Sequence, residues 1–334
     1  MTDRVTEFAS SFAIDGVESV PAGLRGSVVA IGNFDGMHRA HQQLLNEAIA
    51  SARSRGVPAV VMTFEPHPRI LFQPDTPLFR LTPREAKIRI ARALGFDAMI
   101  IVPFDPTLSA LSAGDFVRTI LVDRLAIDTA VIGYNFRFGA GRGGSAEFLT
   151  AAGSRLGFRV IVVQQVSDES GVRIYSGAVR NHLAKGEIGL ANAILGYRWF
   201  VSGTVIRGDR RGRELGFPTA NIRLPPEVGL RHGIYAVTHR RPGGQTKDGV
   251  ASFGRRPTFD GGAPLLEVHL FDFDDSLYGE IDTVTFFGWI RAEEKFADIE
   301  SLVAQMRRDA SAARAILAGA GPGSDLDRRL AAES

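Results

Sequence analysis

The chain has 334 residues, 45% of them hydrophobic, which is enough for about two domains with buried cores and excludes a disordered or collagen-like chain. Its 39 Lys and Arg against 37 Asp and Glu leave a formal net charge of only +2, which gives no support for a nucleic-acid partner. The absence of cysteine excludes disulfides, thiolate nucleophiles and sulfur-bound metal sites. No signal-peptide core and no long apolar run is present, so we expect a cytoplasmic protein without a membrane partner.

Short apolar runs alternate with helical periodicities in the first half of the chain. The runs are rich in β-branched residues, as in strands covered on both faces, and comprise 27–31, 58–64, 97–104, 129–136 and 158–163. A helix is predicted after Gly36, and Thr82, Pro83 and Glu85 indicate a capping box that starts another. This alternation predicts an α/β domain with a doubly wound parallel sheet, whose ligands bind at the carboxyl ends of the strands.

The pattern changes to strands without long intervening helices after about residue 193. Gly, Pro and Asp clusters separate the runs 197–206, 233–239, 248–254, 265–273 and 281–290, which predicts a small antiparallel β-barrel. A helix is predicted over 299–317. We therefore expect an N-terminal domain over 1–185, a linker over 186–196, a barrel domain with its terminal helix over 197–318, and a flexible tail over 319–334.

A histidine pair stands where the first strand leads into the first helix. Gly32 and Gly36 fall in the turn, and His38 and His41 are one helical turn apart at the helix N-terminus. Free backbone N–H groups and the helix dipole favour a triphosphate there, and two imidazoles can stabilise charge that develops as pyrophosphate leaves. The alternative is a helix cap and an ordinary surface histidine. A metal site is not supported, because no third ligand stands at a suitable spacing.

A second phosphate-binding segment is predicted over 201–224. Its glycines allow backbone N–H groups to surround phosphate oxygens, although an ordinary glycine-rich hairpin is the alternative. The residues assigned to ATP in this segment are Gly203, Gly208, Arg213, Gly216 and Pro218. Thr219 and Asn221 are two residues apart, so on an extended segment they project to one side and offer oxygen ligands for Mg²⁺ between nucleotide phosphates.

An acidic residue interrupts an apolar run about fifty residues further on. Alternation places Glu267 on the face opposite Leu266 and Val268. A carboxylate in this position either faces solvent or acts as a general base toward an attacking hydroxyl. We assign it the second role.

The N-terminal motifs resemble those of the FMN adenylyltransferase branch of the nucleotidyltransferase superfamily. The matching stretches are FDGMHRAH (34–41), TFEPHPR (63–69) and VIGYNFRFGAGRGGS (131–145), and RIYSGAVRNHL (173–183) is similar to the late phosphate-binding block. The resemblance implies that ATP is bound by Gly32, Phe34, Asp35, Gly36, Ser176 and Arg180, and that flavin is bound by Pro66, His67, Asn135, Arg137 and Phe138.

The C-terminal motifs are similar to those of riboflavin kinase. They are GRELGFPTANI (212–222), HGIYAV (232–237), GVASFGRRPTF (249–259), LLEVHLFDFDDSLYG (265–279) and GWIRAEEKF (288–296). The resemblance implies a six-stranded barrel, Mg²⁺ and ATP at Thr219 and Asn221, and Glu267 as base toward the ribityl 5′-hydroxyl. It also implies that Arg291 closes over the flavin; a surface ion pair with Glu293 or Glu294 is the alternative for Arg291.

Together the two halves resemble the bacterial bifunctional riboflavin kinase/FAD synthetases over about residues 25–317. This implies that riboflavin is phosphorylated to FMN and FMN is adenylylated to FAD, with ATP as co-substrate and Mg²⁺ as cofactor. The sequence makes no prediction of the oligomeric state. Ala40 stands where the motif has glycine, and the late block has Tyr175, Gly177 and Ala178 around Ser176, with a hydroxyl missing at Gly177. A monofunctional kinase with a regulatory N-terminal domain is therefore the alternative. The Gly139 to Gly144 loop matches GxGxxG, so a nicotinamide oxidoreductase is a further alternative. The loop follows the fourth strand rather than the first, where a dinucleotide-binding fold has this motif, and we therefore predict a flexible phosphate-facing loop.

Overall fold

The computed structural model describes residues 12–165, 173–208, 215–255 and 264–332. The chain forms two compact units. The first comprises Met1–Leu78 and Thr82–Ile174, and the second comprises Phe79–Leu81 and Tyr175–Ser334.

The first unit is built on a parallel sheet of six strands. The strands are β1 (Ala13–Asp15), β2 (Val28–Ile31), β3 (Ala59–Glu65), β4 (Ala98–Pro103), β5 (Thr129–Gly133) and β6 (Arg159–Val163). Their order is β1-β4-β3-β2-β5-β6, and every pairing is parallel. Strands β2 to β5 are buried almost throughout, as in a sheet covered on both faces. The predicted parallel α/β sheet is confirmed; only the short edge strand β1 lacked a sequence signal.

Helices cover this sheet. They are α1 (Arg39–Arg55), α2 (Pro68–Phe72), α3 (Arg84–Leu94), α4 (Pro106–Ala110), α5 (Ala113–Asp115), which continues as a π-helix over Phe116–Arg124, and α6 (Ala146–Leu156). Short 3₁₀ turns occupy Ala22–Leu24 and Ala140–Arg142. Helix α1 ends at Gly56 in the left-handed conformation (φ 65°), as its glycine signal indicates.

The strand order of the sheet reverses between β2 and β5. The chain adds β3 and β4 on one side of β2 and then returns to add β5 and β6 on the other side. Ligands of open α/β sheets bind where the order reverses, at the carboxyl ends of the strands. The segments that begin at Gly32 and at Tyr134 follow these two strand ends.

The second unit contains a closed antiparallel barrel. Its strands are β7 (Phe200–Ile206), β8 (Thr219–Arg223), β9 (Gly233–Arg240), β10 (Thr246–Arg255), β11 (Pro264–Leu270) and β12 (Ile281–Arg291), in the order β10-β11-β8-β7-β12-β9. Periodicity predicted five of them, and the sixth, β8, is the extended segment that carries Thr219 and Asn221. The predicted barrel is confirmed.

Four helices accompany the barrel within the described residues. They are α7 (Ser176–Lys185), α8 (Ile188–Leu195), α9 (Ile299–Gly319) and α10 (Asp325–Ala332). In the described parts of the chain, no helix combines the length and apolar character needed to cross a bilayer.

The predicted domain boundary and linker differ from the observed arrangement. Helix α7 belongs to the second unit, so the division falls after Ile174 rather than after residue 185. The predicted linker 186–196 is mostly helix α8, whose Ile188, Ala191 and Leu195 are buried. The Asn192 side chain accepts a hydrogen bond from Trp199 N (2.9 Å) and donates one to Phe286 O (3.1 Å). The apolar spacing buries one face of α8, which turns a connector into part of the core.

The segment 319–334, predicted as a flexible tail, contains helix α10 in its described part. Leu326 and Leu330, one helical turn apart on α10, are buried. Arg198 N donates to Asp327 Oδ1 (2.7 Å) and the Arg240 guanidinium donates to Leu330 O (3.2 Å). A helix this short is stabilised by such packing rather than by its own propensity.

Candidate active sites

The turn after β2 has an unusual backbone. Phe34 (φ 48°), Gly36 (φ 87°) and Met37 (φ 39°) all adopt positive φ, although only one of them is glycine. A Cβ on Gly32 would lie 2.9 Å from the Phe34 ring, so this position requires glycine. Non-glycine residues with positive φ persist only where the surroundings impose the conformation, and they concentrate at functional sites.

Thr82 imposes this conformation from the start of α3. The Thr82 hydroxyl accepts from Gly36 N (2.8 Å) and donates to Phe34 O (3.2 Å), and Thr82 N donates to Asp35 Oδ1 (3.1 Å). The predicted capping box is therefore wrong: α3 has no side-chain cap, because the buried Thr82 hydroxyl bonds to the turn instead. Asp35, predicted as an ATP ligand, has a carboxylate oxygen that supports the turn.

Replacement of Thr82 tests this clamp. Thr82→Val keeps the side-chain shape but removes the buried hydroxyl that accepts from Gly36 N and donates to Phe34 O, so we expect the first unit to lose about 1–3 kcal/mol of unfolding free energy. Urea unfolding followed by a probe in this unit gives the value. Thr82→Ser, which keeps the hydroxyl, is the control and should lose much less. Equal losses in the two variants would contradict the clamp.

His38 and His41 lie at the N-terminus of α1. His38 is the N-cap residue, and its Nδ1 accepts from His41 N (3.3 Å). The two rings are stacked with centroids 3.7 Å apart, and the His41 ring also meets Phe34 edge-on at 5.5 Å. The capping alternative is thus correct for His38, but its ring is only 4% exposed, and neither histidine is an ordinary surface residue.

Burial makes this pair neutral at pH 7. It lowers the pKa of His38 from its ordinary value of 6.5 to about 4. Burial also holds the pKa of His41 well below 6.5, and the charges of His38 and Lys87 lower it further. His41 Nδ1 is buried and has no hydrogen-bond partner within the described ranges. Two neutral imidazoles offer N–H donors, and a negative charge placed beside them favours their protonation.

The lowered pKa of His38 has a consequence for stability. The unfolded chain takes up this proton near pH 6.5 and the folded chain only near pH 4, so folded stability decreases as the pH falls through this window. We expect His38 to remove up to about 3 kcal/mol of unfolding free energy over that interval. Urea unfolding at pH 7 and pH 4.5 measures it, and His38→Asn is the control that should show a smaller decrease. A decrease of the same size in both proteins would contradict the assignment.

The segment after β3 carries Pro66 and His67. The Glu65–Pro66 peptide bond is cis, and Pro68 occupies the first turn of α2. His67 is the N-cap of α2, and its Nδ1 accepts from Arg69 N (3.1 Å). These contacts describe a rigid strand exit, and the binding role of Pro66 and His67 stays a prediction.

The segment after β5 carries the other predicted flavin residues. Asn135 and Arg137 are exposed, whereas Phe138 is 8% exposed and packs against the rings of Phe116 and Phe136. The described contacts of Phe138 are those of a core residue. Of the three predicted flavin residues in this segment, only Asn135 and Arg137 therefore present exposed polar groups near the strand end.

Close packing accounts for two glycines of the loop that follows. A Cβ on Gly139 would lie 2.5 Å from Ala113 N, and one on Gly144 would lie 2.6 Å from the Phe138 ring. Phe138 and Gly144 also form a short antiparallel bridge. The GxGxxG pattern therefore has a packing explanation here.

Ser176 and Arg180 lie on α7, in the second compact unit. Arg180 Nε donates to Phe79 O (2.6 Å) within that unit. A Cβ on Gly177 would lie 2.7 Å from the Tyr175 ring, so Tyr175 occupies the space that a larger residue at 177 would need. The phosphate-binding role of Ser176 and Arg180 stays a prediction.

Strand register assembles the second site. Glu267 lies directly opposite Asn221 on β8 and Ser252 on β10, and His269 lies opposite Thr219. Directly opposite residues of an antiparallel pair share one face. Leu266 and Val268 are fully buried on the other face, as the alternation predicted.

This face borders a cavity of about 220 Å³ within the second unit. Among the lining residues are Thr219, Ser252, Glu267, His269, Arg291 and Asp309. Periodicity identified Glu267 and Thr219, but it gave no signal for Ser252 or Asp309, which reach the cavity from other elements.

Asn221 presents an unsatisfied oxygen. Its Nδ2 donates to Thr219 O (3.3 Å), while its buried Oδ1 has no partner in the described segments. A buried amide oxygen without a partner is rare in folded proteins, and an amide oxygen is a ligand that Mg²⁺ accepts. The site residues thus fit a hard cation.

Other residues of the predicted ATP segment have local structural roles. A Cβ on Gly208 would lie 2.5 Å from Asn221 Nδ2, and one on Gly203 would lie 2.7 Å from Ile222 Cγ2. Gly216 has φ 82°. Pro218 O lies 2.9 Å from His269 Nδ1. Arg213 lies outside the described residues.

Arg291 is held at the cavity by a partner that the sequence did not indicate. Its Nε and one terminal nitrogen bond the two carboxylate oxygens of Asp309 at 2.8 and 2.7 Å, and Asp309 is 4% exposed. Glu294 is 3.9 Å away. The alternative of a surface pair with Glu293 or Glu294 is therefore wrong as the main contact, because Asp309 on α9 offers a buried bidentate geometry.

The two units present two separate sets of polar groups. The first unit places the His38 and His41 pair at the N-terminus of a helix that follows a parallel strand, which fits a transferase that binds nucleotide phosphates. The second places hydroxyl, amide and carboxylate groups on one barrel face beside a cavity, which fits a kinase.

Known proteins match both units. A family model described as FAD synthetase matches residues 20–178, and one described as riboflavin kinase matches residues 195–317. The chain is 42% identical to the bifunctional riboflavin kinase/FMN adenylyltransferase of Escherichia coli (strain K12) over 289 residues, 86% of this chain and 92% of that protein. It is 41% identical to the protein of the same name from Pseudomonas fluorescens over 296 residues, 88% of this chain and 94% of that protein.

A solved structure shares the fold. A Streptococcus pneumoniae protein described as a macrolide-efflux protein superposes with a TM-score of 0.80 at 30% identity, and the match covers 91% of this chain and 99% of that one. The chain belongs to the family of bifunctional riboflavin kinase/FMN adenylyltransferases. The predicted family, fold class and transferase activities are confirmed, and the monofunctional alternative is not favoured.

Proposed function

We propose that this protein converts riboflavin to FAD in two steps that each consume ATP. The second unit transfers the γ-phosphate of ATP to riboflavin, and the first unit transfers AMP to the resulting FMN. The observation that carries the kinase step is the register of β11, which places Glu267 between Asn221 and Ser252 beside the cavity. Because both steps require ATP and intracellular flavin, we place them in the cytoplasm.

In the kinase step, Glu267 accepts the proton of the ribityl 5′-hydroxyl. The hydroxyl oxygen then bonds to the γ-phosphorus, the bond from that phosphorus to the β–γ bridging oxygen breaks, and ADP leaves with the electron pair. Arg291, fixed by Asp309, forms one wall of the cavity that receives the flavin.

Mg²⁺ would be held by the Thr219 hydroxyl and the Asn221 amide oxygen, together with nucleotide phosphates. When bound, it neutralises negative charge on the transferred phosphoryl group. The support is the unsatisfied buried Asn221 Oδ1 on the same face as Glu267.

In the adenylyl step, an oxygen of the FMN phosphate attacks the α-phosphorus of ATP and pyrophosphate leaves. The attacking group is already anionic, so no general base is required. His38 and His41 donate hydrogen bonds to phosphate oxygens as charge develops, next to the N-terminus of α1.

Gly32, Phe34 and Gly36 shape the turn that receives the nucleotide. Pro66, His67, Asn135 and Arg137 would contact the flavin.

Chromatographic separation of flavins tests both steps. Purified protein is incubated with Mg-ATP and either riboflavin or FMN, and riboflavin, FMN and FAD are quantified at the end. FAD in both reactions supports both activities and shows that Ala40 and Gly177 are tolerated. FMN from riboflavin with no product from FMN would leave only the kinase and contradict the adenylyl step.

A further inference from the structure

A buried ion pair lies at the carboxyl end of β3. Lys87 on α3 is 2% exposed, and its Nζ lies 2.8 Å from Glu65 Oε1 and 3.3 Å from Thr63 Oγ1. A buried ammonium is costly to desolvate, and an apolar residue of similar size is often as good for stability. The pair therefore calls for an explanation other than packing.

Lys87 is connected through hydrogen bonds to the turn after β2 and to the end of β3, the two segments that flank the proposed nucleotide site. Thr63 Oγ1, which accepts from Lys87, donates to Asn33 O (3.2 Å) in the turn after β2. Glu65, the ion-pair partner, is the last residue of β3 and directly precedes Pro66. One side chain from α3 thus fixes the turn and the strand exit together.

The charge of Lys87 also acts on the histidine pair. Burial is the largest cause of the lowered pKa of His41, followed by the charge of His38 and then by the charge of Lys87. His38 acts from the N-cap of α1, and Lys87 acts from α3. The Lys87 ammonium thus acts electrostatically on a residue of the proposed adenylyl-transfer site.

We propose that Lys87 is a positioning residue of the adenylyl-transfer site, which holds the Asn33 turn through Thr63 and the β3 exit through Glu65 and places its ammonium group beside them. This inference rests on the proposed function of the first unit. Lys87 acts through these neighbours and through its field, and it takes no proton from the substrate.

Two variants that differ only at Lys87 test the proposal in the full-length protein. Lys87→Met alone would remove the cation that pairs with the Glu65 carboxylate, so the comparison is between Glu65→Gln and the double variant Glu65→Gln with Lys87→Met. We expect kcat for FAD formation from FMN to be roughly 10–100-fold lower in the double variant than in Glu65→Gln. Riboflavin kinase activity should agree within about twofold in both, which reports that the second unit is intact.

The pH at which His41 titrates distinguishes an electrostatic role of Lys87 from a merely structural one, because a structural role would leave that pH unchanged. Followed by NMR, the His41 ring should titrate at higher pH in the double variant than in Glu65→Gln, because the nearby positive charge is gone. Equal kcat values together with equal His41 titration in the two variants would overturn the proposal. If the wild type makes no FAD, the proposed function fails, whereas the His41 comparison still decides whether Lys87 acts on the site.

Discussion

Glu267→Gln is expected to lower the turnover number for FMN formation by roughly two to four orders of magnitude. Glutamine keeps the size and the hydrogen-bonding capacity of the side chain but cannot accept the proton of the 5′-hydroxyl. Because Asn221 and Thr219 are unchanged, ATP binding should remain close to that of the wild type. Initial rates from riboflavin, with ATP binding by calorimetry, provide the two measurements.

A second carboxylate of the same cavity supplies the matched control. Glu294 also lines the cavity, but its side chain is 55% exposed and it lies beside Arg291 rather than opposite Asn221. Glu294→Gln should change turnover far less than Glu267→Gln. Formation of FAD from FMN should be unaffected by either substitution. A near-normal kinase rate in Glu267→Gln would remove Glu267 from the mechanism.

His38→Asn is expected to reduce FAD formation from FMN by roughly two to three orders of magnitude. Asparagine is a good N-cap residue, so the start of α1 is preserved while the imidazole donor is lost. The His38 ring also stacks on His41, and its removal frees the second ring to move. Single-turnover formation of pyrophosphate from FMN and ATP measures the chemical step directly.

The kinase reaction of the same variant is its internal control. Riboflavin phosphorylation should stay within about twofold of the wild type, because the two sites belong to different compact units. His232→Asn, which removes an exposed imidazole from the second unit, should leave FAD formation from FMN unchanged. An adenylyl rate in His38→Asn close to that of the wild type would exclude the proposed donor role.

Local sequence patterns predicted much of the fold because they record which side of an element is buried. Continuous β-branched runs predicted β2 to β6, and alternation placed Glu267 opposite Leu266 and Val268. The family motifs located the turn after β2 and the segment that carries Thr219 and Asn221. The same patterns failed where stability comes from packing with distant residues: α8 and α10 are short, and their burial depends on the barrel.

The candidate sites show the same division. The sequence by itself determined which residue types follow each strand, that His38 and His41 share a helix face, and that Thr219 and Asn221 share a strand face. Only the tertiary structure decided that Thr82 clamps the turn instead of capping α3, that Asp309 holds Arg291, and that Lys87 pairs with Glu65. It also decided that the two histidines are neutral, since their pKa values depend on burial. These partners are distant in sequence and meet only when the elements pack, so periodicity and spacing contain no record of them.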